Sequence, residues 1–398
     1  MLPPFVTHHP FLSAAFAAVP WIVGPVVTAA RLARSRQLAD ESAIPPEPAP
    51  SVAVIIPARN EAHNIAECVR SVLTSDYPQL QVIVVDDHSI DKTGEIARAV
   101  APSDPRLTII TNPDLPPEWF GKQWACQNGA DATDASILIF LDADTRLIAD
   151  TVTRSVNGMI RTDAALYTVI SQQEMHTFWE RLIQPQMFTM LATRYGGTES
   201  VNNSPNASDK IANGQYLMLR RTDYNALGGH ALVRAYVAED LMLAQKYFTA
   251  GRTTIVTTGL GYVRTRMYTS LSELIGGWRK NVYAGGREAV PGGKIGQFFF
   301  PIMLLVMPLL QLLSPLLLIA ALAIPLAPFI MCWAAITTLT WLAWWLFVYH
   351  MDDQPLHYAL YFPLGALLLT YIFITAIVSG HRVSWKGRQY VNVPHVAD

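Results

Sequence analysis

Residues 137–145 read ILIFLDADT. A short, continuous apolar run ends in two aspartates separated by one alanine. Such a run suits a strand buried on both faces of a sheet. Asp142 and Asp144 then stand at its carboxyl end, where two neighbouring like charges resist ionising together. Taken alone, the pair reads either as a polar turn or helix cap closing the strand or as a ligand site. The surrounding sequence has to decide.

Upstream, SVAVIIPARNE (51–61) is another apolar, β-branched run closed by proline and polar residues. AHNIAECVRSVLTS (62–75) has helical spacing, with Ile65, Val69, Val72 and Leu73 on one face. LQVIVVDDHS (80–89) reads as a second buried strand, DKTGEIARAV (91–100) as a helix and RLTIITN (106–112) as a third strand. Strands alternating with helices predict an α/β fold with a mainly parallel sheet and right-handed crossovers. Such sheets bind ligands beyond the carboxyl ends of their strands. There the sequence places Arg59, Asn60 and Glu61, then Asp86 and Asp87, then Asp142 and Asp144. No G-x-G-x-x-G follows the first strand, which argues against a dinucleotide site.

Around this unit the chain turns apolar. Of 398 residues, 51% are hydrophobic, and the excess is concentrated in a few runs. Phe11–Ala30 is free of charge and long enough to span a bilayer, with Arg31, Arg34 and Arg36 following it. Residues 1–36 are therefore expected to be a transmembrane anchor with the downstream part cytoplasmic, and the proline-rich 37–50 a linker. Residues 51–290 form the α/β domain, and 291–381 hold two or three transmembrane helices. Phe298–His350 carries a break at Pro325 and Pro328, and His357–Ser379 is a further candidate span. Residues 382–398 are a basic tail.

Charge and span count conflict here. The positive-inside rule wants Arg382, Lys386 and Arg388 inside, and the connector bearing Asp352 and Asp353 outside. That arrangement requires Phe298–His350 to cross only once, whereas three spans put the C-terminus outside. A net charge of −2 gives no reason to expect a nucleic-acid partner. Cys68, Cys126 and Cys332 lack metal-ligand spacing and read as unpaired thiols.

The ordered set VAVIIPARNE, VIVVDDHSIDKTGEIA, IFLDADT and VAEDLMLAQKYFTAG resembles family 2 glycosyltransferases of the GT-A fold over roughly Ser51 to Gly286. EWFGKQWACQNGA, ANGQYLMLRR, GGH, RMY and GGWRKN resemble the membrane-bound subgroup associated with ceramide, carotenoid and hopanoid glycosylation. The resemblance implies a nucleotide-sugar donor, with UDP the expected carrier, a lipid acceptor and a Mg²⁺ or Mn²⁺ cofactor. The departing diphosphate gains negative charge that a cation offsets, and such cations take oxygen ligands. It assigns Asp144 as metal ligand, with Asp142 near the ribose or the metal.

By the same resemblance Asp87 contacts base or ribose, Pro57, Ala58 and Arg59 border the nucleobase with Glu61 close by, and Lys122 meets a phosphate. Asp240 is the general base of an inverting single displacement, with Glu239 orienting it. Arg279 and Lys280 are placed to reach the diphosphate. His230 is a weaker candidate for metal or acceptor contact. Processive relatives carry Q-x-x-R-W where this chain has Trp278-Arg279-Lys280, so transfer of a single sugar is expected. The alternatives are a polyprenyl-phosphate sugar synthase, which needs no general base, and a non-catalytic scaffold or transport component with a degenerate domain. Leu271, Leu274, Ile275, Trp278 and Val282 make one helical stripe, read either as a membrane-surface face or as core. TESVNNSPNASDK (198–210) reads as a loose polar loop.

Overall fold

The computed structural model describes residues 8–380, 382–385 and 388–391. Its first element is helix α1 (Pro10–Leu32). The domain then runs β1 (Val52–Ala58), α2 (Ile65–Leu73), β2 (Leu80–Asp86), α3 (Thr93–Val100), β3 (Leu107–Thr111), α4 (Gly121–Asp131), β4 (Ile137–Leu141) and β5 (Thr145–Leu147). It continues through α5 (Thr151–Arg161), β6 (Leu166–Ile170), β7 (Gln172–Gln173), α6 (Phe178–Tyr195), α7 (Thr198–Asn202), β8 (Tyr216–Arg220) and α8 (Arg221–Leu227). Next come α9 (Glu239–Thr249), β9 (Thr254–Thr258), β10 (Val263–Thr265) and α10 (Leu271–Ala289). Three long apolar helices complete the fold, α11 (Gly293–Ala320), α12 (Pro328–Met351) and α13 (Phe362–Ser379), and Arg382–Trp385 pairs antiparallel with Arg388–Val391.

The main sheet has the order β3-β2-β1-β4-β8-β6-β9. β1 pairs parallel with β2 and β4, and β6 pairs parallel with β9. Only β8 runs against its neighbours β4 and β6. This is the mixed, mainly parallel sheet of a GT-A domain. The β-branched runs explain the centre: every residue of β4, and all of β1 but Pro57, is buried. Helix α2 closes one face of the sheet with Ile65, Cys68, Val69 and Val72, close to the stripe its spacing predicts.

The single antiparallel strand matters for the site. Ala58 lies level with Asp86, so β1 and β2 end on one edge. Leu141 pairs with Tyr216, so the start of β8, not its end, reaches the edge where Asp142 sits. Gly214 and Gln215 are thereby delivered beside the aspartates, and the Asp142 N–H lies 3.4 Å from the Gln215 carbonyl.

Several expectations change. Residues 37–50 are not a free linker: Leu38 and Glu41 are buried, and the Glu41 carboxylate takes the Arg161 guanidinium. The Leu38 side chain, the Glu41–Arg161 pair and bonds from Arg154 and Asn157 to the segment's carbonyls bind it to the domain. Residues 198–210 are not a loose loop either. They fold as α7 and a 3-10 turn, with the buried Lys210 ammonium donating to the Val201 and Asn202 carbonyls at 2.9 Å each. The α10 stripe is core: Leu274, Trp278 and Val282 are buried with Leu182, Ile183 and Met187 of α6 and Leu369, Ile372 and Phe373 of α13.

Among the described residues, four helices are long and apolar enough to cross a membrane, including α11, α12 and α13. Phe298–His350 thus forms two such helices rather than a single crossing, divided at 321–327. The connector after α12 lies on the domain side. The Tyr349 hydroxyl donates to the Arg181 carbonyl of α6 at 2.9 Å, and Tyr358 and Tyr361 pack on Phe178. The end of α1 meets the other end of α6, Arg31 donating to the Tyr195 carbonyl at 3.0 Å. Of the basic residues invoked for the tail, Lys386 lies outside the described residues.

Candidate active site

The site is built where the strand-end aspartates meet the N-termini of α4 and α9. Lys122 is the second residue of α4, where a cation is disfavoured by the helix dipole. Two carboxylates offset this: the Lys122 ammonium lies 2.7 Å from Asp142 and 2.8 Å from Glu239. One lysine therefore joins the aspartate after β4 to the first residue of α9. Burial alone would lower the Lys122 pKa, but Asp142 and Glu239 hold it well above its ordinary value. Glu239 is in turn held below its ordinary value, burial being outweighed by Lys122.

Asp240 faces the same space. Its Oδ2 accepts from the Gly214 N–H and its Oδ1 from the Leu241 N–H, both at 2.7 Å. Burial, helped by Glu239, pushes its carboxyl up to about 6. Gly214 is required by space: a Cβ there would stand 2.9 Å from Asp240 Oδ2 and 3.3 Å from Lys122 Nζ. Lys280, on α10, is drawn down to about 8 by burial against the pull of Glu239, Asp142 and Asp240. Arg279 is exposed, so of the two basic residues only Lys280 turns toward the carboxylates.

Asp144 differs from its neighbours. Its Oδ1 is buried without a hydrogen-bond partner, and burial with the adjacent Asp142 pushes its carboxyl up to about 8. An orphaned carboxylate oxygen beside a second carboxylate fits a hard divalent cation such as Mg²⁺ or Mn²⁺. Among the described residues no group of three or more His, Cys, Asp or Glu side chains forms a closed ligand set. Asp144 and Asp142 are the residues that would hold such a cation, whose charge would offset that of a diphosphate.

The β1 and β2 ends form the adjoining wall. Asp87 is buried, accepts from Asn112 Nδ2 at 2.9 Å and lies 4.0 Å from the Arg59 guanidinium. Its N–H donates to the Ala58 carbonyl at 2.8 Å, which fixes Pro57, Ala58 and Arg59 against it. Glu61 accepts from Asn64 Nδ2 at 3.0 Å at the start of α2, so it serves the helix end while its charge still acts on Asp142 and Asp144. Asn60 and His88, both with φ near +53°, turn the chain at these two strand ends. His230 is taken up by the core: Nδ1 lies 2.9 Å from the Tyr224 hydroxyl, the ring packs on Phe140, and burial lowers its pKa to about 3.

Sequence reasoning passed over two contributors. Gly214 sits inside a motif of the chain, but its role depends on β8 running antiparallel. Tyr268, in RMY, covers Gly277 of α10 and acts electrostatically with Asp144. The neighbouring Arg266 is fixed by an ion pair to the buried Glu180 at 2.9 Å. Glu180 also completes the capping box of α6 with Thr177.

A mainly parallel sheet with an Asp-x-Asp at a central strand end defines the GT-A class. Residues 53–228 match the model of the family described as Glycosyl transferase family 2. The chain is 28% identical over 244 residues to a 4,4'-diaponeurosporenoate glycosyltransferase of Staphylococcus haemolyticus, covering 61% of this chain and 63% of that one. The enzyme of the same name from Staphylococcus aureus strain USA300 is 27% identical over 244 residues, with the same coverage of 61% and 63%. The alignments thus span under two thirds of these relatives' length. Among solved structures, a mannosyltransferase of Pyrobaculum calidifontis, in complex with GDP-mannose and Mn²⁺, matches with a TM-score of 0.51 and 17% identity. That match covers 93% of this chain and 98% of the other, and it supports the fold.

Proposed function

We propose that the protein transfers one sugar from a nucleoside-diphosphate sugar, with uracil as the base, to a lipid acceptor at the cytoplasmic face of a membrane. The observation that carries this reading is the Asp142–Lys122–Glu239 ion-pair chain, which ties the donor-side aspartates to the carboxylates of α9. Asp87, Arg59 and the β1 end take the nucleoside. Lys122 and Lys280, with the N-terminus of α4, take the diphosphate. A Mg²⁺ or Mn²⁺ on Asp144 and Asp142 supplies positive charge against the departing diphosphate.

Asp240 acts as general base. A carboxyl near 6 is ionised at neutral pH yet basic enough to accept a hydroxyl proton as the bond to the sugar forms. Its two backbone donors hold it in place, and attack from the side opposite the diphosphate inverts the sugar carbon. The relatives' shared name supports a long, carotenoid-type acceptor. A phosphate nucleophile would have to approach Glu239 and Asp240, which disfavours the polyprenyl-phosphate alternative. The intact pair of carboxylate clusters argues against a degenerate scaffold.

The test is Asp240→Asn in membranes supplied with labelled nucleotide sugars and a hydroxyl-bearing lipid. Transfer is expected to fall by at least about 10³-fold, with nucleotide-sugar binding within about threefold of wild type. Substantial retained transfer overturns the base assignment. Failure of any labelled lipid to form with the unaltered protein across the donor panel overturns the proposed activity.

A further inference from the structure

The residues around Gly214 carry a polar network that the proposed chemistry leaves unused. Asn213, Gln215, Ser171 and Gln173 meet where the ends of β6 and β7 come together with the start of β8. The backbone of this segment already serves the site. The Gly214 N–H donates to Asp240 Oδ2, and the Gln215 carbonyl lies 3.4 Å from the Asp142 N–H. Gln215 therefore stands between the aspartates on the diphosphate side and the carboxylate on the acceptor side. A ladder ties the network to the second aspartate as well: Thr145, next to Asp144, pairs with Thr265, and Thr265 pairs with Gln173. A sugar in transit must lie in the same interval, since its anomeric carbon is bonded to the diphosphate and attacked from the side of Asp240.

The Gln215 residue is only 7% exposed, and the two ends of its amide are treated differently. Oε1 is the focus of the network. It accepts from Ser171 Oγ, from Gln173 Nε2 at 3.0 Å and from Asn213 Nδ2 at 3.4 Å. Asn213 Nδ2 also donates to the Val169 carbonyl at 2.9 Å, so that atom is the amide nitrogen and the Gln215 atom facing it is the oxygen. The amide plane is thereby fixed, with Nε2 turned away from all three donors. Nε2 has no partner among the described residues, yet it is not sealed off, unlike the orphaned Gln173 Oε1 beside it. An acceptor alone would satisfy the network. The second half of the amide is a donor with no structural task, held rigidly at the edge of the site.

We propose that Gln215 is a specificity-determining residue for the transferred sugar, its Nε2 donating a hydrogen bond to a hydroxyl oxygen of that sugar while Ser171, Gln173 and Asn213 hold the amide in place. The inference rests on the reading of the site as one for a nucleoside-diphosphate sugar. It selects for a sugar that is hydroxylated at the contacted position, because a deoxygenated sugar leaves the N–H without a partner.

The test measures binding rather than turnover. Titration calorimetry on the full-length protein with Mn²⁺ compares UDP, UDP-glucose and the four singly deoxygenated analogues of UDP-glucose, in the unaltered protein and in two variants. Gln215→Met keeps an unbranched chain of similar reach and removes the donor, and Ser171 Oγ still accepts from Gln173 at 2.9 Å and from Asn213 at 3.3 Å. Gln215→Glu keeps the oxygen that the network needs and replaces the donor with an acceptor. In the unaltered protein one analogue is expected to bind about fivefold more weakly than UDP-glucose. That ratio, taken within one protein and so insensitive to a general loss of affinity, should fall to about one in both variants. No analogue penalised in the unaltered protein, or a penalty that persists in either variant, overturns the proposal while UDP binding leaves the nucleotide reading intact. Failure of UDP to bind with Mn²⁺ overturns that reading, and the proposal with it.

Discussion

Replacing Lys122 with methionine tests the centre of the site because it keeps an unbranched side chain, one atom shorter, and removes the charge. The ammonium lies 2.7 Å from Asp142 and 2.8 Å from Glu239, so the two carboxylates stand no more than about 5.5 Å apart through it. At that separation two unit charges repel by about 3 kcal/mol for an effective dielectric near 20, equivalent to about two pKa units. Partial exposure of Lys122 and Asp142 reduces this to roughly 1–2 kcal/mol. In the native protein Glu239 is held below its ordinary pKa, so its stabilising share is present above that value and lost as pH falls. In Lys122→Met its folded pKa rises above the unfolded value, so the variant loses stability as pH rises through the shifted pKa.

The same substitution separates two kinds of binding. Lys122 competes with a divalent cation for Asp142, so Mn²⁺ alone should bind Lys122→Met about tenfold more tightly. A nucleoside diphosphate should bind several-fold more weakly, because a phosphate partner is gone. Titration calorimetry on the purified full chain, with Mn²⁺ and with the diphosphate separately, reads both changes. Weaker Mn²⁺ binding, or both affinities unchanged, refutes the view that Lys122 competes with the cation for Asp142.

Gly214→Ala should lower kcat at least about 10²-fold with little change in nucleotide binding, since its methyl group would press on Asp240 Oδ2; unchanged kcat counts against Asp240 as base. The kcat/KM profile should rise with pH through about 6 and then level, because Asp240 must be ionised to accept a proton. A profile flat from pH 5 to 8 with a hydroxyl acceptor contradicts that. Glu180→Ala should destabilise the protein by about 2–4 kcal/mol, leaving the partner Arg266 without its ion pair and α6 without its capping box. Thermal unfolding in detergent measures this, and a change under about 0.5 kcal/mol would rule out the buried pair as a structural tie.

The fold was legible wherever burial leaves a local pattern. The continuous runs at 52–58 and 137–141 announce strands covered on both faces, and the polar groups after them follow from parallel alignment. The carboxylates of α9 could be read as a pair, since helix N-termini favour acids whatever their function. The partnerships could not be read. Lys122 meets Asp142 and Glu239 through tertiary packing, and Gly214 meets Asp240 only because β8 enters the sheet reversed. Residues 37–50 misled for the opposite reason: their composition is that of a linker, and the buried Leu38, the Glu41–Arg161 pair and the bonds from Arg154 and Asn157 override it.

The membrane part shows the same limit of local reading. Charge placement favours the connector at Asp352 and Asp353 on the side away from the domain. Yet Tyr349, Tyr358 and Tyr361 bind it to the start of α6, so α12 returns to the domain side after α11 leaves it. Here a hydroxyl–carbonyl bond and an aromatic cluster act on the connector instead. The next helix, α13, belongs to the most enclosed of the four long apolar segments among the described residues. Its position is set by α6, α10 and α11 through Leu369, Ile372 and Phe373. The helices that flank the candidate active site and the helix α13 therefore share one core.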